Sequence, residues 1–236
     1  AGANLEFVGA TQETKSSGAT GYEVSITQAS RRAQVTGTTA LTNEIIDRGE
    51  QITITEGSKT VNFRTIKGET VENNMNGLNA AIKEAGLNID MIRSPEDETG
   101  ANDGQIISLR HKQFGSDYSF KVASSTAGLV SSQGNVYDTV ANGLDVAGEI
   151  SGEEATGKGQ ILTGNVGNEN TDGLAIRYTG DALPGQPSPP DIPPIMTPPM
   201  QLSEASLGDL DPVKAGTVTL AQNSLIFQIG SNAEQT

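Results

Sequence analysis

The chain has 236 residues, with 29 acidic and 15 basic side chains and a formal net charge of −14. That balance argues against nucleic acid and anionic membranes as partners, because both would repel such a surface. The absence of cysteine excludes disulfides and thiolate metal sites, and we predict neither a transmembrane helix nor a signal peptide, because the apolar runs are short.

The first 44 residues predict an N-terminal arm followed by two strands. Residues 1–20 are small and polar, with few apolar side chains to anchor them. Tyr22, Val24 and Ile26 then alternate with polar residues, and Ala33 and Val35 repeat that period after a short break. Strict alternation is typical of half-buried strands, so we expect residues 21–44 to form part of a sheet.

Residues 45–130 predict a compact β-β-α-β-β-β unit. Apolar residues alternate across 51–65 around a turn at residues 56–59, which favours a hairpin. The spacing then changes to a helical stripe, with Thr70 as its N-cap and Gly86 at its end. Five apolar residues form the stripe: Val71, Met75, Leu78, Ile82 and Ala85. Because asparagines and Gly77 make this helix intrinsically weak, packing on the sheet must hold it.

Further strands are predicted after the loop at residues 123–143. Residues 144–146, 161–162 and 174–178 have strand patterns, and together with 21–44 they predict a discontinuous β domain (21–44 with 140–180). The unit at 45–130 would be inserted into that domain. The fold class is therefore predicted as α+β and mainly β, with two sheet-based domains.

Residues 181–215 are predicted to be a proline-rich tether. Eight of the ten prolines fall between residues 184 and 199, a density that excludes a helix or a central strand. A docking peptide for a proline-reading domain is the alternative interpretation. Residues 216–236 alternate again and predict strands.

The sequence predicts no catalytic, cofactor-binding or metal-binding residues. His111 is the only histidine, and we interpret it as an ordinary strand residue. The carboxylate pairs Glu153–Glu154 and Asp97–Glu98 could in principle perform glycosidase chemistry, but solvated loops explain them in so acidic a chain. Residues 168–173 alternate possible calcium ligands from Asn168 to Asp172, followed by Gly173, but position twelve of such a loop would be Thr179, so a turn is favoured.

Several segments resemble bacterial flagellar proteins. The stretch from Leu225 to Thr236 contains FQIGSNAEQT and resembles the FQIGxNxxQT segment of bacterial flagellins. Residues 22–29, 159–164 and 172–180 are similar, more loosely, to flagellin hook-motif and filament-cap families. The helix from Val71 to Ile82 resembles the VxxxxxxLNAAI helix of hook-motif modules.

This resemblance implies a structural, non-enzymatic protein of the extracellular bacterial flagellum. The long terminal helices of flagellins are absent from this sequence, so the resemblance implies an outer variable region displayed from a helical core. Its implied partners are other flagellin subunits in a homopolymer, with the flagellar export and cap proteins. A filament cap or hook-associated protein and an extracellular adhesin or glycan-binding module are the alternatives.

Overall fold

The computed structural model describes residues 4–94, 104–183, 186 and 212–221. Within these residues it is mainly β, which confirms the predicted fold class. The elements are β1 (Leu5–Gly9), β2 (Tyr22–Gln28), β3 (Arg32–Thr36), α1 (Asn43–Arg48), β4 (Gln51–Glu56), β5 (Lys59–Arg64), α2 (Val71–Glu84), β6 (Ile89–Ser94), β7 (Ile106–Phe114), β8 (Lys121–Ser124), β9 (Asp138–Thr139), β10 (Ala147–Ile150), β11 (Glu153–Lys158), β12 (Ile161–Gly164), β13 (Ala175–Tyr178) and β14 (Val213–Val218).

The first unit is a seven-stranded antiparallel sheet in the order β1-β13-β12-β11-β10-β2-β14. Its two edge strands, β1 and β14, approach within 8 Å between Cα atoms, so the sheet curls around its own core. Period-two alternation places one face of each strand in that core. The buried residues are Leu5, Tyr22, Val24, Ile26, Ala29, Val146, Ile150, Leu162, Leu174, Ile176, Tyr178, Leu183 and Val218.

The central unit contains two smaller sheets, β5-β4-β8-β9 and β3-β7-β6, with α2 packed against β5 and β6. The predicted helical stripe faces this core, where Met75, Leu78 and Ile82 are buried. Thr70 Oγ1 accepts a 3.1 Å hydrogen bond from the Asn73 N–H, and Gly86 has a φ of 65° just beyond the helix, as the capping pattern predicts.

One of the asparagines that weaken the helix has a structural use. Asn74 is buried, and its Oδ1 accepts a 2.7 Å hydrogen bond from the Ile66 N–H. Its Nδ2 donates to the Thr70 carbonyl at 3.0 Å. Asn74 therefore satisfies the backbone of the loop that leads into α2, in exchange for its poor helix propensity.

The predicted boundaries need three corrections. The N-terminal arm contains β1, which pairs with β13. The boundary at residue 44 is wrong for β3, because β3 pairs with β7 and buries Ala33 and Val35 in the core of the central unit. The chain therefore passes between the units near residue 30. Residues 213–215 belong to β14 and not to the tether.

The described residues on either side of the proline-rich stretch bond to β2 or to Ala29, the residue that follows β2. Gln186 is buried, and its amide exchanges hydrogen bonds with the backbone of Ala29 at 3.0 and 2.7 Å. Val213 is paired with Ile26 on β2. The intervening prolines, the Asp97–Glu98 pair and the flagellin-like segment at 225–236 lie outside the described residues.

Candidate functional site

His111 joins the two sheets of the central unit. It lies on β7 with 1% of its surface exposed, and its Nε2 is 3.0 Å from Glu56 Oε1 on β4. Its Nδ1 accepts a 3.0 Å hydrogen bond from the Gln113 N–H, and its ring stacks on Tyr118 with 4.8 Å between centroids. A ring proton on Nε2 would point to Glu56 and leave Nδ1 free to accept from the Gln113 N–H.

The groups around the His111–Glu56 pair are hydrogen-bond donors of the neighbouring strands. Burial opposes ionisation of Glu56, but hydrogen bonds from the backbone and side chain of Asn88 and from His111 outweigh it and lower the pKa of Glu56. No group of three or more acidic or histidine side chains positioned to hold a metal ion occurs in the described residues. Glu56 on β4 bonds to His111 on β7 and to Asn88 just before β6, so these contacts hold the three strands together.

In the possible calcium loop at residues 168–173, the backbone N–H groups bond to the Glu153 carboxylate. Glu153 accepts hydrogen bonds from the backbone N–H groups of Asn170 and Thr171 at 3.0 and 2.9 Å, and from the Thr171 hydroxyl at 2.6 Å. Asp172 Oδ2 accepts from the Gly167 N–H at 2.7 Å. These carboxylates are engaged by donors of the turn, and Glu154 projects to the exposed side of β11.

The carboxylate of Asp145 lies where the seven-stranded sheet meets the central unit. Its Oδ2 accepts a 2.5 Å hydrogen bond from the Ser116 hydroxyl in the loop after β7, and its Oδ1 accepts a 2.6 Å bond from the Gly159 N–H at the β11–β12 turn. Burial opposes ionisation, but these donors and nearby Lys158 outweigh it and lower the pKa of Asp145. One carboxylate thus holds a loop of the central unit against a turn of the seven-stranded sheet.

The two segments that connect the units also bond to each other. The backbones of Arg31 and Leu144 exchange hydrogen bonds of 2.8 and 2.9 Å, and the Gly115 N–H donates to the Arg31 carbonyl at 3.0 Å. A Cβ on Gly143 would lie 2.3 Å from that carbonyl oxygen, so the approach requires glycine. The connection is consequently a short hydrogen-bonded ladder and not a free hinge.

The outer face of the β3-β7-β6 sheet carries two arginines. Arg32 and Arg110 point away from the core that Ala33, Val35 and Leu109 enter on the other face. The guanidinium of Arg32 lies over the Phe114 ring at 4.4 Å. Sequence reasoning missed this pair, since only the β3–β7 register brings the two residues together.

No helix within the described residues has the length and apolar character needed to cross a membrane. Of the residues that the sequence analysis weighed as candidates, His111 bonds to Glu56, and Glu153 bonds to the turn at residues 170–171. Sequence analysis did not identify Asp145, whose signal is only its position before a strand.

The chain is similar to solved domains of the flagellar cap protein FliD. The D2–D3 domains from Serratia marcescens share 11% identity with it over 75% of this chain and 92% of theirs, with a TM-score of 0.46. The D2–D3 domains from Escherichia coli share 16% identity over 77% and 94%, with a TM-score of 0.40. An Escherichia coli structure of the D1–D2–D3 domains shares 13% identity over 78% of this chain and 50% of that one, with a TM-score of 0.44.

No protein-family model matches the chain, and no curated protein matches it significantly. The TM-scores to these FliD domains are all below 0.5.

Proposed function

We propose that this chain is the outer, surface-exposed part of a bacterial flagellar filament subunit. Its role is structural and non-catalytic: it makes contacts between neighbouring subunits outside the cell. Flagellin-like FQIGSNAEQT near the C-terminus supports the filament assignment. The observation that carries the proposal is where the fold places the three segments that loosely resemble flagellar families, residues 22–29, 159–164 and 172–180.

The first of those three segments is far from the other two in sequence, but all three belong to one sheet. Residues 22–29 contain β2, residues 159–164 contain β12, and residues 172–180 contain β13, all in the seven-stranded sheet. The helix that resembles hook-motif modules is α2 of the central unit. Segments with the same family resemblance thus serve as structural strands and a packed helix, which suits a module inserted into a sheet-based outer domain.

The contacts between the central unit and the seven-stranded sheet support a mechanical role in the filament. The Asp145 contacts and the Arg31–Leu144 ladder fix the central unit to the seven-stranded sheet. A module held at a fixed angle presents the same surface in every subunit of a polymer, which repeated lateral contacts require.

A filament-cap or hook-associated protein is the second candidate, since residues 22–29, 159–164 and 172–180 also resemble, loosely, filament-cap families. Gold-labelled antibody against the central unit, applied to intact flagellated cells, separates the two by position. Label along the whole filament is the expected result. Label at the tip alone would transfer the assignment to the cap, and filaments without label would contradict both.

A further inference from the structure

Arg32 and Arg110 form an incompletely satisfied cationic pair on the outer face of the β3-β7-β6 sheet. The Nε atoms of both are buried and have no hydrogen-bond partner. Neither guanidinium forms an ion pair with any described residue. An unpaired buried donor on a charged group costs free energy, so this pair is unfavourably placed among the residues that the structure describes.

The Asp90 carboxylate does not neutralise the arginine pair. Asp90 is directly opposite Arg110 across β6 and β7, but its ion pair, at 3.9 Å, is with Lys112. Burial and the neighbouring charge of Arg110 lower the pKa of Arg32, and Asp90 opposes this only in part. The described charged residues of this face are two arginines, a lysine and one aspartate, which sum to a net positive charge.

Arg32 and Arg110 are half-buried, so part of each side chain is open to an approaching anion. Phe114 lies beneath the Arg32 guanidinium, 4.4 Å from its ring centroid. Gln34 is paired with Arg110 across β3 and β7, and its amide bonds to Thr36 and Ser108 along the sheet. Planar, pre-positioned guanidinium groups are suited to bidentate carboxylates.

We propose that the arginine pair of Arg32 and Arg110 is a docking site for acidic side chains of a second copy of this chain. The inference rests on the proposed function, which places copies beside one another. Charge complementarity selects the occupant, because a chain with 29 acidic and 15 basic residues has an excess of carboxylates to offer to a cationic pair. Pairing in the polymer would neutralise two guanidinium groups that have no ion-pair partner among the described residues.

The test uses assembled filaments with a photo-crosslinking benzoylphenylalanine in place of Gln34, which adjoins both arginines. We expect a crosslink from this position to an acidic segment of a second copy, mapped by mass spectrometry. The R32Q/R110Q variant should reduce the crosslink yield about tenfold or more, because truncated charge pairs at interfaces lose at least that much affinity. K67Q/K83Q removes two exposed lysines elsewhere and should leave the yield unchanged.

A second measurement separates docking from a role in folding. If the pair is a docking site, the isolated R32Q/R110Q chain should keep its thermal midpoint or raise it, because the variant removes two poorly satisfied cations. A large fall in that midpoint would make the pair structural and overturn the inference. So would filaments that contain the chain but give no crosslink, or one to another protein or a glycan. Filaments that lack the chain would instead overturn the proposed function.

Discussion

The Ser116 hydroxyl donates a 2.5 Å hydrogen bond to the Asp145 carboxylate, and this contact ties the central unit to the seven-stranded sheet. The same carboxylate accepts from the Gly159 N–H on the other side. One side chain therefore bridges the two units, beside the backbone ladder between Arg31 and Leu144 and the ion pair between Lys158 and Asp117.

Replacing Asp145 with Asn should loosen this junction. The amide keeps the shape of the carboxylate but cannot accept from every donor, so we expect a loss of about 1–2 kcal/mol in the free energy of unfolding. Chemical denaturation would measure it. Asp117→Asn is the control, since Asp117 pairs only with exposed Lys158 and should cost less than about 1 kcal/mol. Equal losses in the two variants would contradict the role given to Asp145.

The buried asparagine of α2 gives a prediction with a matched control in the same helix. Asn74→Ala should destabilise the protein by about 1–3 kcal/mol, because the Ile66 N–H loses its acceptor inside the structure. Asn76→Ala should stabilise it by a few tenths of a kcal/mol, because Asn76 is exposed and alanine favours the helix. Thermal unfolding of both variants measures the difference. Two changes of the same sign would refute the explanation.

Acid should destabilise the fold through three carboxylates. The pKa values of Glu56, Asp145 and Glu153 are lowered in the folded chain from ordinary values of 4.5, 3.8 and 4.5. The unfolded chain therefore binds more protons between the lowered and the ordinary pKa values, so stability rises with pH there. The contribution is fully present above about pH 5 and is lost as pH falls through the lowered pKa values.

The Glu153→Gln variant tests the same linkage at one group. The denaturation midpoint of the wild-type chain should fall steadily from about pH 5 to pH 3, and the variant should show a shallower slope over that interval. Parallel curves for the two proteins would mean that Glu153 has no lowered pKa.

The anchors of the proline-rich stretch predict that its length has little effect on stability. Gln186 bonds to Ala29 and Val213 pairs with Ile26, so the two ends lie about 10 Å apart along β2. Replacing residues 187–211 with six glycine and serine residues should leave the thermal midpoint within about 2 °C. Gln186→Ala should lower it more, because the backbone N–H and carbonyl of buried Ala29 lose their partners. A larger fall from the shortened loop than from Gln186→Ala would contradict these anchors.

Local periodicity predicted the elements that bury a regular apolar face. The hairpin of β4 and β5 and the stripe of α2 are examples, because one period continues over several residues in each. Strand β11 was missed because its side chains are polar or small, from Glu153 to Lys158, and its neighbours β10 and β12 supply the pairing. Helix α1 was missed because six residues with two adjacent isoleucines show no helical period.

Local sequence patterns could not predict contacts between segments that are distant in the sequence. The assignment of β3 to the central unit depends on its register with β7, and the arginine pair depends on the same register. His111 was correctly interpreted as a strand residue, but its partner Glu56 is identified only by the packing of one sheet against the other.

Helical reconstruction of the native filament with the full-length subunit tests the central claim most directly. We expect the seven-stranded sheet and the central unit to project outward from a helical core, with the central unit in contact with neighbouring subunits. A filament whose density leaves no place for these two units, or a chain found only at the filament tip, would contradict the assignment to the filament subunit.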